Sequence, residues 1–210
     1  MPFLVNNRSM IKNIIFDIGN VLATFKPKEF LHDLLNDEKM EKEIYSILFE
    51  DMTWWNLYNQ GLYSNKDVKN KCYEVLPNLK KEIEFVLDNW VKYVLPISSS
   101  MEAIEMYKES YNLYIISDIP QDNYVYLKNN YDFIQKMKGG IYSYQEGIIK
   151  PNIEMFTRLL ERYGLRANEC LFIDDRLNNV EAASSLGIHT IHLTDYNLLQ
   201  KKLEETLNEM

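Results

Sequence analysis

Five short runs along the chain read as strands, and most of them are apolar at nearly every position and end in polar residues. The clearest is Ile14-Ile15-Phe16-Asp17-Ile18-Gly19-Asn20-Val21-Leu22, whose first half predicts a strand over residues 11–17. An unbroken apolar run suits a strand buried on both faces of a parallel sheet. Similar runs fall at residues 113–117, 141–143, 170–175 and 188–193. Between them the apolar period lengthens to that of a helix, over residues 101–110, 124–130 and 178–186, the last stopped by Gly187. A further helix is expected from Lys150-Pro151 to Tyr163, with proline in the favoured first position. A charged helix closes the chain. Strands alternating with helices predict an α/β fold: a Rossmann-like parallel sheet with helices on both faces.

The alternation breaks once, just after the first strand. From residue 26 to residue 96 every apolar pattern is helical. Phe30, Leu31, Leu34 and Leu35 share one face, as do Ile44, Ile47 and Leu48. Val68, Cys72, Val75 and Leu76 mark a third helix, opened by a capping box of Ser64 and Asp67. Beyond Pro77, the stripe Ile83, Val86, Leu87, Trp90, Val91 and Val94 marks a fourth. Pro96-Ile97-Ser98-Ser99-Ser100 reads as a linker and helix N-cap. The expected organisation is a core of residues 1–25 and 97–210 with an inserted four-helix domain, 26–96, over the strand ends. Of the adjacent Trp54 and Trp55, one is expected in the core of the insert; the other either faces the cleft or, more commonly for tryptophan, is buried packing. The turn Asn59-Gln60-Gly61-Leu62-Tyr63 either lines the pocket or lies on the surface.

Composition narrows the function classes. A formal charge of -8 over 210 residues argues against a nucleic-acid partner, which calls for a basic face. No run approaches the roughly 18 apolar residues of a membrane span. The first nine residues read as a loose tail without the basic head of a signal peptide. Cys72 and Cys170 match no metal-ligand spacing and read as buried, reduced thiols of a cytoplasmic protein. His32, His189 and His192 read as structural.

Parallel strands discharge their C-terminal residues at one sheet edge. That edge collects Asp17, Ser117 and the pair Asp174-Asp175, and Lys150 precedes a helix nearby. Carboxylates with a backbone oxygen suit Mg²⁺, a hard cation. A serine hydroxyl and a lysine ammonium suit phosphate oxygens. Asp17 is then a carboxylate nucleophile able to form an aspartyl-phosphate.

These stretches resemble the motifs of the haloacid dehalogenase superfamily, in its subgroup with a helical cap inserted after the first motif. Phe16-Asp17-Ile18-Gly19-Asn20-Val21-Leu22 resembles the nucleophile motif, and Ile115-Ile116-Ser117-Asp118 the phosphate-binding one. Lys150-Pro151-Asn152-Ile153-Glu154-Met155-Phe156 resembles the lysine motif. Phe172-Ile173-Asp174-Asp175, with Asn179 and Glu181-Ala182-Ala183, resembles the acidic one. The Gly-Asn form of the first motif is similar to that of sugar-1-phosphate phosphatases. The resemblance implies a Mg²⁺-dependent phosphomonoesterase acting on a small phosphorylated metabolite. Asp17 and Lys150 would be catalytic, and Ser117, Asp118 and Lys150 would bind substrate. Asp17, the Gly19 carbonyl, Asp174 and Asp175 would serve the metal.

Two positions depart from the pattern. Gly19 stands where most phosphatases of the superfamily carry a second aspartate as general acid. Asp118 stands where asparagine is usual, and its carboxylate repels a phosphate unless the side chain turns away. A mutase needs the missing acid, and dehalogenation needs no metal. A signalling receiver places its acidic pair before the phosphorylated aspartate. A binding protein that lost turnover on this fold draws support from Gly19 and Asp118 alone.

Overall fold

The computed structural model describes residues 10–209. The expectations about the first nine residues, a loose tail and no leader, fall outside the described residues. Strand β1 (Asn13–Phe16) is followed by α1 (Pro27–Leu35), α2 (Glu38–Tyr45), one π-helical turn (Ser46–Glu50), α3 (Thr53–Asn59), α4 (Asn65–Val75) and α5 (Lys80–Asn89). The alternating part then runs α6 (Ser98–Tyr107), β2 (Asn112–Ser117), α7 (Gln121–Asn130), β3 (Gly139–Tyr142), α8 (Ser143–Glu146), α9 (Ile153–Tyr163), β4 (Cys170–Asp174), α10 (Leu177–Ser185), β5 (His189–His192) and α11 (Leu199–Glu209).

All five strands are parallel, in the order β3-β2-β1-β4-β5. The chain leaves β1 toward β2 and β3, then crosses back to β4 and β5. Right-handed crossovers running in opposite directions must cover opposite faces. The packing agrees. Ile14, Phe16, Leu113 and Ile115 face a cluster containing Ala103, Ile104, Leu127 and Leu203 from α6, α7 and α11. Ile15, Ile116 and Phe172 face Met155, Phe156, Leu159 and Ala183 from α9 and α10. With both faces covered, β1 has no room for alternation, and all four of its residues are buried.

Register fixes what the sheet edge presents. Phe16 pairs with Ile115 of β2 and Ile173 of β4, so Asp17 emerges level with Asp174 and next to Ser117. The reversal of strand direction beside β1 opens the crevice in which such folds bind ligands.

The segment between β1 and α6 holds five α-helices, not four. Residues 28–60 contain neither glycine nor proline, so nothing in the pattern announces the extra break. It comes at Met52, which takes a left-handed conformation (φ 59°) after the π-turn and starts α3 with both tryptophans. The Ser64–Asp67 capping box forms as expected, on α4. The apolar cluster of these helices is continuous with the α6/α7/α11 face of the sheet. Its centre is aromatic: Trp55 lies 4.7 Å from Phe49, 4.9 Å from Trp90 and 5.9 Å from Phe25, ring centre to ring centre.

Two predicted helix starts move. Asn152 caps α9 by accepting the Glu154 N–H at 2.9 Å, so the helix opens at Ile153 and Pro151 stays outside it. Ile97, not a serine, takes the N-cap position of α6; the serines fill its first turn, and Ser100 Oγ donates to the Val21 carbonyl at 2.5 Å. The short α8, after β3, has no counterpart in the sequence reading.

Candidate active site

Asp17 ends β1 almost fully buried, at 7% exposure. Its Oδ1 accepts the Ile18 N–H at 2.7 Å and pairs with Lys150 Nζ at 2.9 Å. Both contacts fall on one oxygen, which leaves Oδ2 to the cavity that Asp17 lines. Asp174, fully buried, spends both oxygens. Oδ1 accepts the Arg176 N–H at 2.8 Å, Oδ2 accepts Lys150 Nζ at 2.7 Å, and Asn179 Nδ2 reaches both at 3.0 Å. Asp175, more open, accepts Asn20 Nδ2 at 3.0 Å. Oxygens of Asp17, Asp174 and Asp175 come within 4.8 Å of one another.

Lys150 lies beneath this cluster. An ammonium has three protons to donate, and here they go to Asp17, Asp174 and the Ile116 carbonyl at 3.1 Å. Burial lowers the ammonium's pKa, but the carboxylates of Asp17, Asp174 and Asp118 outweigh it and hold the group charged. Burial raises the Asp17 carboxyl; Lys150 opposes that, and Asp174 and Asp175 add to it, leaving it well above the carboxylate range. Asp175 is raised by burial too, against the Asn20 hydrogen bond. The three carboxylates thus crowd one another at the end of two strands, and a hard dication placed among them would relieve that repulsion.

The residues fit such an ion. Asp17, the Gly19 carbonyl and Asp175 are available to it, while the oxygens of Asp174 are taken. Asn179 lines the cavity, and its Oδ1 is buried with no hydrogen-bond partner. A Cβ at Gly19 would meet nothing within 4 Å, so the space above its backbone is open.

Ser117 also lines the cavity. Asp118 lines it as well, with its Oδ1 engaged by the Lys150 backbone N–H at 2.9 Å rather than free to face a phosphate. Burial raises its carboxyl, with Lys150 opposing. Lys150, expected to contact substrate, is 2% exposed and paired with Asp17, and it is not among the residues that line the cavity.

Sequence reasoning missed several neighbours. Asn20, left-handed at φ 52°, bridges Asp175 and the Phe25 N–H. Asparagine is among the few side chains that adopt this conformation readily, which was the available signal. Arg176 brings the cation that does line the cavity. His192 is structural as expected, its Nε2 donating to the Asp175 carbonyl at 3.0 Å. The cavity measures about 130 Å³, and its far wall carries Phe25, Met52, Trp55, Trp90, Val94, Asn59 and Asn123. Trp55 fills both expected roles, core of the insert and cavity wall, while Trp54 packs partly exposed at its edge.

The family model for haloacid dehalogenase-like hydrolases matches residues 11–187. The chain belongs to that family. It is therefore a hydrolase of haloacid dehalogenase type. The sesquiterpene phosphatase astK of Aspergillus oryzae is 24% identical over 185 residues, covering 88% of this chain and 90% of that protein. Among solved structures, a haloacid dehalogenase family enzyme of Bacteroides thetaiotaomicron in complex with magnesium and inorganic phosphate superposes with a TM-score of 0.67. It is 21% identical, over 86% of this chain and 93% of that one. The L-2-haloacid dehalogenase of Xanthobacter autotrophicus, with chloropropionic acid covalently bound, gives a TM-score of 0.64 at 15% identity, over 86% and 76% of the two chains. These likenesses share one fold between a phosphate complex and a dehalogenase, so the choice of chemistry rests on the residues. Among the described residues no helix is long and apolar enough to cross a membrane.

Proposed function

We propose that the chain is a Mg²⁺-dependent phosphomonoesterase working through Asp17. One observation carries the reading: three carboxylates converge within 4.8 Å beside a cavity, with the first of them held by a buried lysine. A dehalogenase needs no such acidic cluster. When bound, Mg²⁺ supplies positive charge to the phosphate oxygens, as in other phosphoryl transfers.

This chain's residues do the rest. Lys150 and the Ile18 N–H fix the Asp17 carboxylate by one oxygen and leave the other to attack phosphorus. The P–O ester bond breaks as the new one forms, and the departing alkoxide takes a proton from water. Ser117 and Arg176 bind phosphate oxygens. Water then attacks the aspartyl-phosphate, releasing inorganic phosphate and restoring the carboxylate. Asp174 is a positioning residue: it holds Lys150 and is held by Asn179.

With glycine at residue 19, no carboxylic acid protonates the leaving oxygen. Esters of the more acidic alcohols are favoured, among them sugar 1-phosphates, whose anomeric oxygen leaves more readily than a primary alcohol. A cytoplasmic setting fits the two buried, free thiols. The aromatic wall and the likeness to a sesquiterpene phosphatase favour a second reading, an apolar phosphate ester. Turnover of phenyl phosphate with Mg²⁺, and its loss in chelator, tests the phosphatase reading. Full activity in excess chelator refutes it.

A further inference from the structure

The cavity that Asp17 lines also carries two asparagines from opposite sides of one seam. Asn59 is the last residue of α3 in the insert, and Asn123 lies in the first turn of α7 in the core. They are 7% and 6% exposed and line the same cavity as Asp17. The amide oxygen of Asn123 is buried without a hydrogen-bond partner. Turning the amide over would only put an NH₂ in the same place. That oxygen is itself closed to solvent and costs stability unpaired, so the Asn123 amide meets the cavity through the rest of its side chain.

The seam is clasped around the two amides. Tyr58, next to Asn59, donates its hydroxyl to the carboxylate of Asp122, next to Asn123. Ser143 Oγ donates to the Asn59 carbonyl at 2.5 Å and accepts the Ile119 N–H at 2.8 Å. Gly61 (φ 69°) passes so close to the Tyr144 carbonyl that a Cβ would lie 2.5 Å from it. These contacts seat the end of α3 on the core, and the wall is complete only with both sides present.

We infer that Asn59 and Asn123 form a specificity site that reads hydroxyl groups on the leaving group of the phosphate ester. The inference rests on the phosphatase reading and decides between its two substrate classes. Amides beside the rings of Phe25, Trp55 and Trp90 suit a hydroxylated ring: the rings cover its faces and the amides pair with its edge. A long apolar alcohol would leave Asn123 unpaired.

The test is calorimetric binding of two phosphonates to the Mg²⁺-loaded protein, so that neither can leave and leaving-group acidity plays no part. One is a glucopyranosyl methylphosphonate, the other cyclohexylmethylphosphonate. The hydroxylated ligand is expected to bind tighter by about 10-fold or more, and Asn123→Leu and Asn59→Leu are each expected to bring the two Kd values closer by a similar factor. Equal Kd values in the wild-type protein, binding of neither phosphonate, or variants that shift both Kd values alike overturn the inference. The two readings fail separately. A protein that hydrolyses phenyl phosphate but binds both phosphonates equally loses only the specificity site. One that prefers the hydroxylated ligand but hydrolyses no phosphate ester loses only the phosphatase reading.

Discussion

The floor and the far wall of the cavity are built on opposite principles. On the floor, the charged atoms are committed: Lys150 spends all three protons and Asp174 both oxygens, within the protein. On the wall, Asn123 leaves a buried oxygen unpaired among aromatic rings. Fully paired Lys150 and Asp174 hold Asp17 in place before substrate arrives, which is how a site lowers a barrier without reorganising. An incomplete wall is finished by whatever ligand pairs with it, which is how a site discriminates. Substitutions on the floor should therefore abolish chemistry or the fold, and substitutions on the wall should change which ester is chosen.

The largest effect is expected at the centre of the floor. Asp17→Asn keeps the shape and removes the nucleophile, so kcat for phenyl phosphate should fall by at least about 10⁴-fold. Thermal unfolding measured alongside should show the variant folded; activity near wild type would end the covalent mechanism. Lys150→Met strikes stability as well. It leaves Asp17 and Asp174 buried without their cation, and breaking a buried pair from one side costs about 3–5 kcal/mol. For a chain of this length that corresponds to a Tm lowered by roughly 6–20 °C in the metal-free protein. A Tm within 2 °C of wild type, on the order of a 1 kcal/mol change or less, would show that the ion pairs contribute little.

Much of the floor was legible because strands announce their ends. An apolar run of β-branched residues that stops at Asp17, and another that stops at Asp174, place two carboxylates at one edge once the sheet is parallel. Lys150 and Ser117 followed from their place in the chain. The wall was only half legible. The turn from Asn59 to Tyr63, marked by Gly61, was a candidate for lining the pocket, but Asn123 sits 64 positions after Asn59 in a helix whose first turn tolerates any polar residue. Their meeting depends on how the insert docks, which no local period encodes. The same holds for Asn20, whose role needs Asp175 folded beside it.

Gly19 sits between floor and wall, and changing it should alter the balance of the two. Its Cβ position is open, so the first atom of a side chain meets no neighbour there. General acid catalysis is typically worth about 10²–10⁴-fold, and a newly placed acid should reach the lower end of that range for esters of weakly acidic alcohols. Across a series of aryl and alkyl phosphates, the dependence of kcat/KM on leaving-group pKa should be steep in the wild type and flatter in Gly19→Asp. A wild-type series already flat would mean that water or another group supplies the proton.

The smallest expected effect concerns the clasp that joins the wall's two halves. Tyr58 donates to Asp122 across the seam, and burial, with the neighbouring carboxylate, raises its pKa so that it keeps its proton. Tyr58→Phe removes the donor and keeps the ring that packs on Trp55. A hydrogen bond to a charged group contributes about 1.5–3 kcal/mol, but water reaches Asp122 once the seam opens, so only part of that is lost. If the clasp holds the insert closed, losing it lowers the fraction of molecules with a complete wall. The apparent Kd then rises in inverse proportion to that fraction. KM for a sugar 1-phosphate should increase by roughly 3–10-fold while kcat, set on the floor, changes far less. A fall in kcat with KM unchanged would instead place Tyr58 in the service of the floor, and the division between the two sides of the cavity would have to be redrawn.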